Sequence, residues 1–182
     1  MSVLVIDRPA SVLGLAEFCH RVGDLVSSLP RPEAPARIAA LLPALLANRD
    51  LLTPAQRALP SAGYGRHDIF ICPNQAFSVV AAVWPAGIMT AIHDHRTWCA
   101  FGVYDGAMRE IRYAPVQAGG CYARPVETVD CGPGTARYLP VDRPDIHAMH
   151  NPTDRAAISI HVYGEDSSAR GPNVAKVYSV PG

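Results

Sequence analysis

His93-Asp94-His95-Arg96-Thr97-Trp98-Cys99 is the stretch of sequence that decides the fold. In an extended segment, side chains alternate between the two faces of a strand, so His93 and His95 project on the same side. A β-barrel can use this spacing to direct two metal ligands into its interior. The Asp105-Gly106 pair that follows is a favoured hairpin turn. The stretch therefore predicts a strand of a β-barrel that carries two imidazoles on its inner face.

Two glycines frame this stretch at fixed distances. Five residues separate Gly87 from His93, and six residues separate Cys99 from Gly106. This spacing, with His93-x-His95 inside it, resembles the first motif of the cupin superfamily. Most cupins carry glutamate at the position of Cys99, so the resemblance implies a ligand set that lacks this carboxylate.

A second block of residues supports the first. Gly134, Pro140, His147 and Asn151 resemble the second cupin motif, whose histidine supplies a further metal ligand from a neighbouring strand. The chain departs from that motif at Asp142, where the family has glycine, and the interval before the histidine is longer than usual. Two motifs in the correct order imply a mainly β cupin fold, which is a double-stranded β-helix that forms a small, jelly-roll-like barrel.

The region ahead of the two motifs has a different pattern. Apolar residues recur at helical spacing through residues 11–58, whereas short β-rich runs separated by turn residues follow them. We therefore expect a single domain that spans residues 1–182. In it, two or three α-helices within residues 1–60 form a layer against a β-barrel of residues 61–182.

Composition and charge limit the classes of partner. The chain has 182 residues, with 16 Lys and Arg against 16 Asp and Glu, so no net field favours nucleic acid or an anionic membrane. No apolar run reaches the roughly 20 residues of a membrane-spanning helix. Five cysteines without a CxxC pair argue against a disulfide framework. We expect a cytoplasmic monomer or homo-oligomer that binds a small molecule, with neither nucleic-acid nor membrane partners.

His93, His95 and His147 are the candidate metal ligands. Neutral imidazoles bind Fe, Zn, Cu and Ni, and three of them leave coordination positions for a substrate and oxygen. The set is uncharged, so an anionic substrate such as a thiolate can bring its own charge to the metal, which favours Fe(II). Zinc in the same site would instead suggest a bound hydroxide and hydrolysis. His150 follows three residues after His147 and competes with it as a ligand.

The region from Tyr64 to Tyr163 resembles the thiol dioxygenases, a cupin family that includes cysteine dioxygenase and 3-mercaptopropionate dioxygenase. Ser159, His161 and Tyr163 match the family's Ser-x-His-x-Tyr relay and alternate along one strand, so all three share a face. The resemblance implies that three histidines hold Fe(II) and that O2 is added to the sulfur of a small thiol carboxylate to give a sulfinate. In that scheme Tyr163 contacts the substrate or oxygen, and His161 orients it.

Cys99 has two alternative roles. Counted back from the turn glycine Gly106, it lies where eukaryotic-type cysteine dioxygenases carry a cysteine that forms a thioether with the relay tyrosine, here Tyr163. Counted forward from His95, it falls one residue short, as in the shorter loop of the mercaptopropionate enzymes. Either Cys99 and Tyr163 form a crosslink, or Cys99 is a small buried thiol that fills the barrel.

Four residues are candidates for substrate binding, namely Tyr64, Arg66, Trp98 and Arg170. Arg66 ends a Tyr-Gly-Arg element that resembles the one in cysteine dioxygenases, and a guanidinium can grip a carboxylate through two parallel hydrogen bonds. Thr97-Trp98 resembles the mercaptopropionate branch. That branch also carries a carboxylate-binding arginine after the relay tyrosine, and Arg170 follows Tyr163 at a shorter spacing than that arginine does. L-Cysteine is therefore the favoured substrate, and 3-mercaptopropionate is the close second.

Two other classes of function remain as alternatives. One is a different cupin metalloenzyme, such as a diketone-cleaving dioxygenase, a metal-dependent hydrolase or an isomerase. The other is a non-catalytic cupin that binds a small ligand through its metal. Neither class requires Arg66 or the Ser-His-Tyr relay, so substitutions of Arg66 and Tyr163 separate these alternatives from a thiol dioxygenase.

Overall fold

The structure is a computed structural model that describes residues 11–139, 145–164 and 173–182. Within these ranges, three helices precede ten strands. The helices are α1 (Leu15–Ser28), α2 (Ala34–Leu46) and α3 (Pro54–Arg57). The strands are β1 (Gly65–Ile71), β2 (Phe77–Trp84), β3 (Ile92–His95), β4 (Cys99–Asp105), β5 (Met108–Pro115), β6 (Ala123–Cys131), β7 (Ala136–Leu139), β8 (His147–His150), β9 (Ala157–Gly164) and β10 (Val174–Tyr178).

The strands form two five-stranded antiparallel sheets. Sheet I has the order β1-β2-β9-β4-β7, and sheet II has the order β10-β3-β8-β5-β6. Strands that follow one another along the chain repeatedly change sheet, as β3, β4 and β5 do, so the two sheets are interleaved. The predicted mainly β fold is confirmed. The interleaving makes β3 and β8 neighbours in sheet II, although about 50 residues separate them along the chain.

The helices cover the outer face of sheet I. Buried residues of α1 and α2 pack with alternate residues of β2 and β9 in one apolar cluster. The helices contribute Phe18, Val22, Ile38, Leu42 and Leu45, and the strands contribute Val79, Ala81, Val83, Ile160 and Val162. Burying one of the larger side chains of this cluster stabilises the fold by roughly 1.5–3 kcal/mol. The prediction of two or three N-terminal helices is confirmed, and none of the described helices is long and apolar enough to cross a membrane.

Strand β9 is buried on both of its faces. Ile160 and Val162 pack against the helical layer, and side chains alternate along a strand. Ser159, His161 and Tyr163 therefore point the other way, into the space between the two sheets. The same alternation in β2 turns Trp84 toward that space. The outer face of sheet I contributes stability, and its inner face carries polar groups.

Gly106 lies in the tight turn between β4 of sheet I and β5 of sheet II, so the Asp105-Gly106 turn joins two sheets and does not form the expected hairpin. Its backbone has φ +72°, and a Cβ atom at this position would lie 2.8 Å from the carbonyl oxygen of Ala156. Glycine adopts this conformation without steric cost, whereas a larger residue would strain the turn. The tight turn directs β5 back along β8 in sheet II, where Arg112 lies opposite His147 in the register.

Candidate metal centre

Three imidazoles converge on the inner face of sheet II. His93 and His95 lie on β3, and His147 lies on β8 directly opposite His93 in the strand register. One nitrogen from each ring lies within 4.8 Å of the others, and the ring centroids are 4.8 to 5.0 Å apart. Three neutral nitrogen donors so close together fit a single transition-metal ion. The structure thus brings together the three residues that the sequence predicts as ligands.

Each of the three imidazoles is held at its Nδ1 atom by an oxygen acceptor. The acceptors are the Ala91 carbonyl for His93 at 2.9 Å, the Asp145 carboxylate for His95 at 2.7 Å, and the Glu110 carboxylate for His147 at 3.2 Å. Because a carbonyl or carboxylate oxygen only accepts, each Nδ1 carries the proton and donates it. The lone pair of each ring is therefore on Nε2, the atom left available to a metal.

The electrostatics of the centre favour uncharged rings. Burial, together with the neighbouring His147 and His95, lowers the pKa of His93 to about 3. Burial also lowers the pKa of His147, against the opposing influence of the Glu110 carboxylate. A metal ion binds the neutral imidazole. At neutral pH these two rings carry no additional proton that a metal ion would have to displace.

Glu110 lies behind His147 and was not predicted from the sequence. Its side chain is fully buried in sheet II, with Arg112 and Arg137 as ion-pair partners. Burial opposes its ionisation, but the hydrogen bond with His147 and the two guanidinium groups lower the pKa of Glu110 to about 2. The sequence signal available was weak: Glu110 alternates with Met108 on an inward-facing strand, but its partners lie on other strands.

The Ser159, His161 and Tyr163 side chains face this centre from sheet I. The Ser159 hydroxyl lies 2.8 Å from His161 Nε2, and the Tyr163 hydroxyl lies 3.4 Å from His161 Nδ1. Burial, followed by nearby positive groups, lowers the pKa of His161 to about 3, so the ring is neutral. The Tyr163 ring is 6.0 Å from the His95 ring, measured between centroids. The relay predicted from sequence is therefore assembled next to the three imidazoles.

Trp84 extends this relay and was also missed by the sequence analysis. Its indole N–H donates to the Ser159 hydroxyl oxygen at 2.8 Å. An indole can only donate, and within the described ranges the buried Ser159 hydroxyl has no third partner. The Ser159 proton therefore goes to His161 Nε2, and His161 Nδ1 carries the proton that faces Tyr163. Alternation along β2 was the signal that could have identified Trp84.

Trp98, which the sequence analysis assigns to substrate binding, lies elsewhere. Its indole belongs to the apolar cluster between sheet I and the helices, and it packs so closely on Gly164 that a Cβ there would overlap it. The cause is local: β3 ends at His95 and β4 begins at Cys99, so Trp98 lies in the connection between the sheets. The tryptophan that lines the cavity is Trp84.

Cys99 and Tyr163 are cross-strand neighbours in sheet I. They are paired residues in the β4–β9 register. The Cys99 sulfur also lies 3.9 Å from His161 Nδ1. Burial raises the pKa of the Cys99 thiol well above its usual value, so it is protonated. The register is compatible with either alternative for Cys99, and an intact mass lower by two hydrogens would identify a thioether.

Arg66 and Tyr64 line the same cavity as the three imidazoles. The Arg66 guanidinium lies over the Tyr163 ring at 5.6 Å from its centroid and 3.8 Å from an Asp68 carboxylate oxygen. The Tyr64 ring stacks on Trp84, with centroids 4.5 Å apart. Arg170, the fourth candidate for substrate binding, lies outside the described residues. The cavity therefore has a cationic and aromatic wall opposite the three imidazoles.

The remaining motif residues have structural positions. Asn151 is fully buried and its amide donates to the carbonyls of Trp84, Pro85 and Arg155, which fixes the corner after β8. His150 is not part of the three-histidine group, because strand alternation turns it away from the face that carries His147. Pro140 and Asp142 of the second motif lie outside the described residues.

Three imidazoles on one inner face of a β-barrel form a candidate metal site of the cupin type. Residues 60–168, more than half of the chain, match the family model described as cysteine dioxygenase type I. The chain belongs to this family. The resemblance to thiol dioxygenases inferred from the motifs is confirmed.

Solved structures with a similar fold include oxidases. An oxalate oxidase in complex with the substrate analogue glycolate is 15% identical, with a TM-score of 0.51 over 72% of this chain and 65% of its own. A recombinant oxalate oxidase in complex with glycolate is 16% identical, with a TM-score of 0.50 over 71% and 65%. A Cupin_2 domain of an XRE family transcriptional regulator from Enterobacter cloacae is 14% identical, with a TM-score of 0.42 over 58% and 99%. At these identities the likeness concerns the fold alone. The two antiparallel sheets, together with the two matches at TM-scores of 0.50 and 0.51, confirm the predicted cupin fold.

Proposed function

We propose that this protein is an Fe(II)-dependent thiol dioxygenase that adds O2 to the sulfur of a small thiol carboxylate and releases a sulfinate. L-Cysteine is the favoured substrate, and 3-mercaptopropionate is the close second. The observation that carries the proposal is the placement of three buried imidazoles opposite Ser159, His161 and Tyr163 across one small cavity. Membership of the cysteine dioxygenase type I family supports it.

His93, His95 and His147 are the residues that would hold the iron. Their Nε2 atoms are unprotonated because each Nδ1 atom donates to an oxygen acceptor. Bound iron would lower the pKa of the substrate thiol, which is near 8.5 when free, and would pass electrons from the substrate sulfur to O2. The protein contributes fixed ligand orientation.

Arg66 is the proposed carboxylate-binding residue. A guanidinium is always charged and presents two parallel donors, which suits a carboxylate better than an ammonium does. Arg66 lines the cavity together with Tyr64, on the wall opposite the three imidazoles. The Arg66 guanidinium lies 5.6 Å from the centroid of the Tyr163 ring, and that centroid lies 6.0 Å from the centroid of the His95 ring. These short distances between the carboxylate-binding residue and a metal ligand support a short thiol carboxylate over a larger thiol.

Tyr163 is proposed to donate a hydrogen bond to the substrate or to oxygen. Burial raises the pKa of the Tyr163 phenol well above its ordinary value, so the hydroxyl keeps its proton. The Trp84 indole, Ser159 and His161 form a chain in which each group donates to the next, and Tyr163 is its last member. Tyr163 accepts from His161 and has its own O–H left to donate into the cavity.

Oxygen uptake by the iron-loaded protein tests this proposal. Bound metal is first quantified, and oxygen consumption is then followed with L-cysteine, 3-mercaptopropionate and cysteamine, which has the thiol but lacks the carboxylate. We expect consumption that requires both iron and thiol, with cysteine fastest and cysteamine slowest. If the iron-loaded protein consumes no oxygen with any small thiol, the proposal is wrong. Oxygen consumption with a diketone, or tight thiol binding without consumption, would favour the alternative classes.

A further inference from the structure

Glu110 contacts a metal ligand from behind, on the side away from the cavity. It lies on β5, next to β8, and its side chain has no exposure to solvent. Its Oε1 atom accepts from His147 Nδ1 at 3.2 Å. A glutamate side chain buried this completely is uncommon in proteins unless it is paired. Its position against His147 links it directly to the three-histidine group.

The other carboxylate oxygen of Glu110 lies in a network of balanced charge. Oε2 accepts from Arg137 Nε, and Arg112 Nε lies 3.3 Å away. The same two arginines also approach Glu127, with Arg137 Nη2 at 3.3 Å and Arg112 Nε at 3.8 Å from its Oε2 atom. Two guanidinium groups and two carboxylates therefore form one cluster, in which Glu110 is the member that accepts a hydrogen bond from a candidate metal ligand.

We propose that Glu110 is a positioning residue for the metal centre, because its carboxylate orients His147 and places a negative charge behind that imidazole. The arginines keep Glu110 ionised in a buried place, and the hydrogen bond fixes both the tautomer and the rotation of the ring. A ligand imidazole that donates to a carboxylate is a stronger electron donor to its metal. The three ligand side chains are themselves uncharged, and Glu110 thus adds a negative charge next to one of them.

A purely structural ion-pair cluster is the alternative, and Glu127 separates the two explanations. Glu127 contacts the same arginines, but it does not contact His147. The substitutions Glu110→Gln and Glu127→Gln each remove one carboxylate charge from the cluster, and only the first changes the group behind the ligand. Glutamine at position 110 still offers an oxygen acceptor, so the pair of variants tests the charge on Glu110.

The inference rests on the metal site in the proposed function and not on thiol oxidation, so its test uses metal binding. Zn(II) affinity and the visible absorption spectrum of the Co(II)-loaded protein are measured for the wild type and both variants. We expect Glu110→Gln to weaken Zn(II) binding about 10- to 100-fold and to shift the Co(II) bands. Glu127→Gln should stay within about twofold of the wild type, with an unchanged spectrum. Equal affinity and identical spectra for Glu110→Gln and the wild type would overturn the inference.

A second variant covers the case in which Glu110→Gln does not fold. The double variant Glu110→Gln/Arg137→Gln removes one charge of each sign and leaves the cluster balanced. It should fold, bind Zn(II) about 10- to 100-fold more weakly and show the shifted Co(II) bands. The balanced control Glu127→Gln/Arg137→Gln, which keeps Glu110 beside Arg112, should stay within about twofold of the wild type. Wild-type affinity in the Glu110→Gln/Arg137→Gln variant would contradict the role of Glu110. Metal binding without thiol-dependent oxygen uptake would refute the proposed function and leave this inference standing.

Discussion

The two sheets present different chemistry to the one cavity between them. Sheet II provides the three imidazoles, and two of these are backed by carboxylates, Asp145 and Glu110. Sheet I provides Arg66, Trp84 and the relay that ends at Tyr163. One wall therefore has the donor atoms and negative charge that suit a cation, and the other has the positive charge and hydrogen-bond donors that suit a small anion.

This division indicates that metal binding and substrate binding can be changed separately. A substitution on sheet II should alter metal affinity, whereas one on sheet I should alter turnover or substrate affinity at full metal occupancy. The effects of two substitutions should add only when the two residues share no interaction partner. A sheet I variant that loses its metal would contradict the division between the sheets most clearly.

The largest effect is expected from removing a ligand on sheet II. His93→Ala should weaken metal binding about 100- to 1,000-fold, because roughly 10–16 kcal/mol for a four-ligand site corresponds to about 2.5–4 kcal/mol per ligand. His93 donates to a backbone carbonyl, so its loss leaves no buried charge unpaired. His150→Ala is the matched control and should bind metal as the wild type does. Metal titration followed by fluorescence measures both, and equal affinities would contradict the ligand assignment.

The next effect is a pH dependence that involves one histidine from each sheet. His93 and His161 have pKa values of about 3 in the folded protein, mainly because of burial, against about 6.5 when unfolded. Below pH 6.5 the unfolded chain binds protons that the folded protein excludes, so stability falls as the pH falls toward 3. For the metal-free protein we expect the free energy of unfolding to drop by about 3 kcal/mol between pH 6.5 and pH 5.

Urea unfolding at several pH values measures this dependence and can divide it between the sheets. His161→Phe should remove about 1.5 kcal/mol of the drop, which is the share of one excluded proton, whereas His93 and His147 of sheet II still exclude protons. A free energy of unfolding that stays constant between pH 6.5 and pH 5 would show that the two imidazoles are not buried in neutral form.

A smaller effect is expected at the carboxylate-binding residue of sheet I. Arg66→Lys should lower kcat/KM for L-cysteine about 10- to 100-fold, since hydrogen bonds to charged groups contribute roughly 1.5–3 kcal/mol. Turnover of cysteamine, which has no carboxylate, should change little. Oxygen-uptake kinetics at equal iron occupancy measure both substrates. An equal loss for cysteine and cysteamine would argue against carboxylate binding by Arg66.

The smallest effect is expected for the far end of the relay. Trp84→Phe keeps an aromatic ring against Tyr64 and removes the N–H that donates to Ser159, at a cost of about 1 kcal/mol. We expect kcat to fall about fivefold, with metal affinity and KM unchanged. Trp98→Phe is the control at the other tryptophan and should reduce stability without changing kcat. If both variants turn over like the wild type, Trp84 has no role in orienting the relay.

The sequence was sufficient for features that depend on local spacing. His93 and His95 are two residues apart, and strand alternation alone places them on one face. The same rule groups Ser159, His161 and Tyr163. Alternation also distinguishes the two ends of β8, so that His147 faces the cavity and His150 does not.

Features that depend on pairing between distant strands were not predictable in this way. Glu110 and His147 are 37 residues apart, and Trp84 and Ser159 are 75 residues apart, so no local pattern connects them. Trp98 was a candidate for the cavity wall because Thr97-Trp98 resembles the mercaptopropionate branch, with a place in the core as the alternative. The chain changes sheet after His95, and the indole turns outward to the helical layer.

Oxygen-18 labelling of the product tests the central claim most directly. The iron-loaded protein is incubated with L-cysteine under labelled O2 in unlabelled water, and the product is analysed by mass spectrometry. The account predicts a sulfinate in which both oxygen atoms carry the label. A product without labelled oxygen, or with oxygen derived from water, would contradict it.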